Sequence, residues 1–566
     1  MIVSAVSLWK KFNLKTPLDA SEWGMEDRGG SYCCKVTYNG HKTADGCVRI
    51  FARFFRPRGK DKKPVILLLP DVDKPVDETL VRYFTDKGYA VLTPDYAGET
   101  ANNADSVERT VYPSSLAYGN FANERGLYEM AGLDAEKTTW FEWTYVALYS
   151  IEYLKSRTDL GAIGIVGVRM GGELAWKAML SPDVKCGIPI NAAGWQSSRN
   201  TSKFEKKTVS DLGDDYHRYV AAAEAQSYAP YVKCPVLMLC SLRDNSFDPD
   251  RAYDTYTRIG NPYGNALTYS IDSGECIGPN ALTDMDLFLE KNLKGREIYI
   301  PNVLNVSIKE TDEGLDVQVD CDKQGILEEA GIYYAEADIK TRSAYREWRQ
   351  VFKTAGRTVK NSRTGCIVKP FAGAKTVYVY AYAKYINGFR VTSKIASKNL
   401  TKVNLSAIKN RNLFTGREKD CFEIADYARY SLGGVLLERE IAPKILSGYG
   451  ELKGAYAECG IRTYKISSPQ YVPEENALLK FDVYTKETQD LEVCVEVANM
   501  TKPQASYSCT VPVRGGGKWK RIILRAADFK GSANGTPLEN FKSGNALVFR
   551  ALGEEKEFAV SNILWL

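Results

Sequence analysis

The sequence predicts a doubly wound, mostly parallel α/β domain over residues 1–297, followed by two all-β sandwich domains over 298–400 and 401–566. Three observations predict this. Up to about residue 297, apolar runs suited to buried strands alternate with helix-length segments, the pattern of successive βαβ units. After Pro301 the helix-length segments give way to short alternating runs. Residues 164–180 join an apolar strand to a helix-forming run through a glycine-flanked turn, Gly167-Val168-Arg169-Met170-Gly171-Gly172. The length of 566 residues fits three or four domains.

In the first part, Val48 to Phe55 reads as an N-terminal β segment, and Pro64-Val65-Ile66-Leu67-Leu68-Leu69-Pro70 as a strand buried on both faces. A helix is predicted over roughly 77–87, ending at Lys87-Gly88, before the strand Tyr89 to Asp95. A long helix near 140–156 precedes the strand of the glycine-flanked turn. Further strands are Cys186 to Ile190 and Pro235 to Cys240. The last helix, Leu282 to Leu293, ends on Lys294-Gly295, a cation followed by a glycine. In residues 302–400 the strands Leu315 to Val319, Gly331 to Ala335 and Thr376 to Ala383 alternate. Asn387-Gly388 marks a hairpin before Phe389 to Thr392, which suggests an immunoglobulin-like or fibronectin-type sandwich. Residues 401–566 carry longer strands, such as Ala477 to Tyr484, Leu491 to Val497 and Trp519 to Leu524. About 165 residues of this kind fit a larger sandwich such as a jelly roll.

Composition narrows the function classes. A net charge of +5 with no long Lys/Arg run argues against nucleic-acid binding. No window approaches 18 uninterrupted apolar residues, so no transmembrane helix is expected. The N-terminus lacks the pattern of a signal peptide. The 13 cysteines are scattered, odd in number and form no C-x-x-C pair. They read as free thiols in a reducing compartment, and the expected setting is the cytoplasm of a bacterium. No cofactor is expected.

The turn at 167–171 has the layout of a nucleophile elbow, G-x-S-x-G, in which a serine sits on a strained strand-to-helix turn. Here arginine holds the serine position. A guanidinium is always protonated and has no lone pair with which to attack a carbonyl. Residues 1–297 resemble the α/β-hydrolase superfamily, within it the dienelactone hydrolase and acetyl xylan esterase branch. The segments that carry the resemblance are Pro64–Asp71, Gly88–Asp95, Gly164–Gly172, Val184–Trp195 and Pro235–Asp244, in the family's order. The resemblance implies a triad and an oxyanion hole, which can be placed residue by residue. The nucleophile position is Arg169. Asp244, in Ser241-Leu242-Arg243-Asp244-Asn245, stands where the family has its acid. The histidine position falls on Glu275, or on Cys276 if the register slips by one. The oxyanion-hole positions are Met170 and Asp71, whose backbone N–H groups would be the donors. The Asp71 carboxylate would oppose a developing oxyanion there. The C-terminal region resembles, more loosely, carbohydrate-binding jelly rolls through Gly517 to Leu524, Asp528-Phe529 and Ser561 to Trp565.

The only histidines are His41 and His217, and both read as surface or satisfied side chains. A thiol at Cys276, with no histidine to deprotonate it, reads as a plain buried cysteine, although Arg169 nearby would favour its thiolate. Asp71, Asp73, Asp244 and Glu275 could suggest a metal site, but a fixed cation at Arg169 would repel a divalent ion. Serine to arginine and histidine to glutamate are changes of opposite sign. Arg169 is therefore expected to fill the former pocket and pair with Glu275, Asp244 or Asp71; the alternative is that it extends into solvent. An arginine in a cleft near Trp140, Trp143 or Trp195 could also hold a sugar acid or an acidic metabolite.

Three function classes remain open. The first is a catalytically degenerate hydrolase-like protein that binds carbohydrate or a small acidic ligand, or acts in assembly. The second is a working carboxylic-ester hydrolase on acylated carbohydrate with non-standard machinery. The third is an oligomerisation scaffold. Neither nucleic acid nor membrane is an expected partner.

Overall fold

The computed structural model describes residues 4–72, 78–98, 108–116, 135–198, 200–205, 214–271, 276–359, 362–371, 374–401, 409–416, 418, 421–426, 443–447, 452–458, 460–500, 502–553 and 557–566. Glu275, Asp73 and the remainder of the loop after Val72 lie outside them.

The N-terminal part is built on a nine-stranded sheet. Its strands are β1 (Ser21–Asp27), β2 (Ser31–Lys42), β3 (Cys47–Pro57), β4 (Lys63–Leu69), β5 (Ala90–Pro94), β6 (Leu160–Val168), β7 (Val184–Ile190), β8 (Leu237–Ser241) and β9 (Ala266–Ser270). They lie in the order β1-β2-β3-β5-β4-β6-β7-β8-β9. From β5 to β9 every pairing is parallel, while β1, β2 and β3 join antiparallel at one edge. The helices are α1 (Ala5–Trp9), before the sheet, then α2 (Glu78–Asp86), α3 (Thr139–Ser156), α4 (Met170–Ala178), α5 (Asp214–Ala223), α6 (Ala225–Tyr228) and α7 (Pro249–Tyr256) between strands, and α8 (Pro279–Lys294) after β9.

The apolar runs do what their lack of alternation predicts. In β4, Val65, Leu67 and Leu69 face one core cluster, with α3 and α4, while Ile66 and Leu68 face another, with α2 and α8. Both faces of the parallel strands are covered, so both sets of positions must be apolar. The second helix ends at Asp86, with Gly88 at φ 86°, and α8 ends with Gly295 at φ 70° in the left-handed cap. The last helix starts at Pro279, three residues before the predicted Leu282. Pro279 opens its first turn, where a missing N–H costs nothing.

Residues 305–399 form two antiparallel sheets, of three and five strands, built on β10 (Asn305–Thr311), β11 (Gly314–Asp320), β12 (Leu327–Glu336), β13 (Arg349–Ala355), β14 (Arg363–Val368), β15 (Thr376–Tyr385), β16 (Arg390–Thr392) and β17 (Ala396–Asn399). Residues from 412 onward form two further antiparallel sheets of six strands each among the described residues. Their inner faces meet in one cluster that includes Leu479, Phe481, Val493, Val495, Leu547 and Phe549. Phe481 and Phe549 contact edge to face at 5.2 Å across it.

The middle sandwich is welded to the α/β part. Its Ile332, Val377, Val379 and Ala381 belong to the same core as Met285 and Phe288 of α8. The open edge of β9 is closed by β16. Thr268 Oγ1 donates to the Arg390 carbonyl at 2.8 Å, and the Thr392 hydroxyl bonds the β9 backbone at Tyr269 N and Leu267 O. An edge strand covered in this way offers no ladder to a second chain. Asp284 of α8 lies fully buried in this seam, its Oδ1 accepting from Arg390 N at 2.7 Å and its Oδ2 without a hydrogen-bond partner.

Burial pushes the Asp284 carboxyl up from 3.8 to about 8 against the pull of the Arg390 backbone and charge. The folded state thus holds a proton that the unfolded chain releases above the ordinary carboxylate range. Stability from this group is full below pH 3.8 and lost as pH rises through about 8. Compared with Asp284→Asn, the wild type should lose about 1.4 kcal/mol per pH unit between these limits. Urea midpoints measured across that range check it; parallel profiles for the two proteins would refute it.

Among the described residues no helix is long and apolar enough to cross a membrane.

Candidate functional site

The turn between β6 and α4 has the elbow conformation without the elbow's nucleophile. Arg169 sits at φ 49°, ψ −111°, a region that a side chain as large as arginine rarely occupies. Close packing fixes it there. A Cβ on Gly167 would stand 2.3 Å from the Gly171 carbonyl oxygen, and one on Gly171 would stand 2.2 Å from that of Leu69. Only glycines let β6, α4 and the end of β4 approach so closely. Arg169 N donates to Ile190 O at 2.8 Å, which ties the turn to β7.

The arginine turns back into the site. Its Nε donates to Asp244 Oδ2 at 2.9 Å, and its Nη1 lies 3.7 Å from Asp71 Oδ2. The side chain is 21% exposed, against 11% for Asp71 and 1% for Asp244. The pairing expected from the opposite charges is therefore present with two of the three carboxylates named for it, and Glu275 lies outside the described residues. Asp244 follows β8, as its place in the sequence required. Its Oδ2 also accepts from Asn191 Nδ2 at 2.7 Å, and its Oδ1 accepts from Ser246 N at 2.6 Å. Asn191, at the end of β7 and at φ 51°, also accepts from Ser241 N through its own Oδ1 at 2.7 Å. Sequence reasoning missed Asn191. The sole hint is an Asn directly after a buried strand, a residue type that tolerates left-handed backbone.

In the oxyanion-hole region the Asp71 side chain folds onto backbone N–H groups. Met170 N donates to Asp71 Oδ1 at 3.3 Å, and the second N–H converging on that oxygen is that of Val72, at 2.9 Å. The Asp71 carboxylate occupies the place that these two donors define.

Below the turn lies a buried polar cluster that the sequence did not reveal. Glu173 Oε1 accepts from Gly194 N at 2.7 Å. Glu224 accepts from Trp195 N at 3.1 Å and from Ser197 N at 2.7 Å. Lys177 Nζ bonds the carbonyls of Glu173 and Ala223 and sits 4.4 Å over the Trp140 ring. Burial raises the Glu173 carboxyl and lowers the Lys177 amine, each against the attraction of the other. This cluster clamps the Trp195 loop. The Trp195 indole N–H donates to Thr255 of α7 at 2.9 Å, and Arg258 lies 4.9 Å from its ring, so the indole is committed to α7. Trp140 and Trp143 are core residues, 3% and 0% exposed. Cys276 is buried and belongs to the apolar cluster of the C-terminal sheets. His41 bonds Glu142 at 2.9 Å and stacks on Tyr145, while His217 is exposed on α5. Among the described residues no group of three His, Cys, Asp or Glu side chains is arranged to hold a metal.

The acid's neighbour carries another unforeseen contact. Arg243 reaches into both β regions: its Nε donates to Glu423 at 2.8 Å, its Nη1 donates to the carbonyls of Ala344 (3.1 Å) and Arg346 (2.5 Å), and its guanidinium lies 3.7 Å from the Tyr464 ring centre. The loop bearing Asp244 is therefore pinned by all three parts of the chain.

The strand order, the elbow geometry and the acid after β8 identify the architecture. The N-terminal part is a dienelactone hydrolase-like α/β domain. Residues 50–261 match the model of the dienelactone hydrolase family. Among solved structures, this chain is similar to an acetyl xylan esterase from Paenibacillus sp. R4, at 18% identity over 51% of this chain and 92% of that one, with a TM-score of 0.41. It is also similar to acetyl xylan esterase 1 from Thermoanaerobacterium sp. JW/SL YS485, at 13% identity over 48% and 87%, with a TM-score of 0.35. A third similar structure is the acylaminoacyl peptidase of Pyrococcus horikoshii, at 16% identity over 51% and 52%, with a TM-score of 0.33. No curated protein matches the sequence.

Proposed function

We propose that this protein is a catalytically inactive relative of the dienelactone hydrolases that acts by binding, of carbohydrate or a small acidic ligand, or in assembly. One observation carries the reading: the Asp71 carboxylate accepts from Met170 N–H, a donor that would have to stabilise an oxyanion, and also from Val72 N–H. A carboxylate in that place repels the charge that develops in acyl transfer. Arg169, locked on Asp244, supplies no nucleophile in its stead.

The family match makes ester hydrolysis the activity to test. Purified protein is expected to hydrolyse p-nitrophenyl acetate no faster than buffer and to take up no fluorophosphonate label. Arg169→Ser should behave the same way, because the Asp71 carboxylate remains and the position that the family gives to histidine holds none. Label on a serine within residues 1–297, accompanied by turnover, would make it a working hydrolase instead.

A further inference from the structure

We infer that the open edge of the strand Lys520–Leu524, in the C-terminal sandwich, is a docking surface for an acidic segment of a partner protein, taken up as an added strand. The strand stands last in its sheet, in the order Lys444–Ser447, Lys453–Tyr456, Ala559–Trp565, Leu479–Tyr484, Lys520–Leu524. It pairs antiparallel with Leu479–Tyr484 on one side, and among the described residues no strand pairs with it on the other. Such an edge presents a regular row of N–H and C=O groups, the template on which extended peptides dock.

The side chains select what can pair there. Arg521, Ile523 and Arg525 alternate with the more buried Lys520, Ile522 and Leu524, so all three stand on the outer face. The side chains of Arg521 and Arg525 are 70% and 76% exposed, and Ile523 is 49% exposed. From Arg514 to Arg525 the chain has five cations and no acid. Little from elsewhere neutralises them. Arg521 Nε lies 3.8 Å from Asp482 Oδ1, but Asp482 Oδ2 already accepts from Lys480 Nζ at 2.9 Å and Asn562 Nδ2 at 2.8 Å. Arg525 Nη2 lies 3.5 Å from Asp528 Oδ1, an exposed contact that is easily given up. Arg514 and Lys518, both exposed, make no ion pair among the described residues.

Charge decides the occupant. A second copy of the same edge would set cations against cations, and like charges across a strand pair repel. An acidic strand places carboxylates opposite Arg521 and Arg525 and an apolar side chain opposite Ile523. The segment that fits therefore carries acidic, apolar and acidic residues at every second position. Guanidinium groups suit this task, since their paired N–H donors match a carboxylate. The inference goes beyond the proposed function by giving the C-terminal sandwich a protein partner, and it holds whichever way the esterase measurement falls.

Fluorescence anisotropy of a labelled peptide titrated with the full chain tests it. The probe carries glutamate, valine and glutamate in alternation with threonine. Two relatives of the probe separate the causes: one has lysine in place of glutamate, and the other keeps glutamate but is N-methylated at alternate amides, so that it cannot form the ladder. The glutamate peptide should bind roughly tenfold more tightly than either. Its binding should slow amide exchange within residues 520–525. Arg521→Glu combined with Arg525→Glu, changes at exposed positions, should lose the glutamate peptide and gain the lysine peptide. No binding at millimolar concentration, equal binding of the N-methylated peptide or of single-stranded DNA, or affinity unmoved by the charge reversal would overturn the inference.

Discussion

Replacing Arg346 by alanine is expected to destabilise the folded chain by about 3–5 kcal/mol, among the largest effects of any single change in the molecule. Arg346 and Asp250 are both 0% exposed and are joined by two hydrogen bonds, Nη1 to Oδ1 at 2.6 Å and Nη2 to Oδ2 at 2.7 Å. The guanidinium lies 3.6 Å from the Tyr378 ring centre, and its backbone carbonyl accepts from Arg243. The pair thus links α7 to the middle sandwich at the point where the Asp244 loop is also fixed. Truncation leaves the Asp250 carboxylate without its counter-ion in a place that water does not reach, beside Asp248, whose own carboxyl burial and Asp250 already push up. The paired replacement Arg346→Met with Asp250→Leu removes both charges, and it should recover most of the loss, since a buried ion pair is worth little net of desolvation. Urea denaturation followed by tryptophan fluorescence measures both. A loss below about 1 kcal/mol in Arg346→Ala would mean that water enters the junction.

The sequence made the α/β part legible because parallel strands covered on both faces leave a signal that survives without coordinates: Val65 to Leu69 has no polar position because no position faces water. The edge was harder to see. β1, Ser-Glu-Trp-Gly-Met-Glu-Asp, is exposed along its whole length, so nothing in its pattern had to be apolar. In β2 the strand runs on through Asn39-Gly40 with an irregular register before Lys42, and its apolar alternation ends there, since the buried position after Tyr38 holds Gly40. At the site, glycine spacing located Arg169 and strand order located Asp244. The occupant of the oxyanion position was not legible. Whether Asp71 points its carboxylate away or folds it onto Met170 N–H depends on a rotamer, and sequence carries no record of it. The same holds for Arg243, whose partners Glu423 and Tyr464 are more than 170 residues away in the chain. Long-range charge pairs have no spacing rule, so the junction of the three parts leaves no mark in the sequence.

Asp244 is expected to matter for stability and not for turnover, and two substitutions make the point sharply. Asp244→Ala should cost about 3 kcal/mol, because it leaves Arg169 Nε, Asn191 Nδ2 and Ser246 N facing a site with no acceptor. Asp244→Asn keeps the shape but should cost nearly as much. Both carboxylate oxygens accept: Oδ1 from Ser246, and Oδ2 from Arg169 and Asn191. An amide can present only one acceptor, so either orientation sets its NH2 group against an N–H donor. Arg169→Ala should cost less, about 1–2 kcal/mol, since Asp244 keeps two of its three donors and the arginine is partly exposed. The double variant Arg169→Ala with Asp244→Ala should then be more stable than the sum of the single losses predicts, by about 1–2 kcal/mol. Thermal and urea denaturation of the four proteins closes this cycle. In a working hydrolase the acid orients a histidine, and its loss is felt in rate; here it anchors a cation, and its loss should be felt in folding. Strict additivity of the two changes, with an Asn variant as stable as the wild type, would mean that Arg169 and Asp244 do not depend on each other and that the turn is held by its glycines alone.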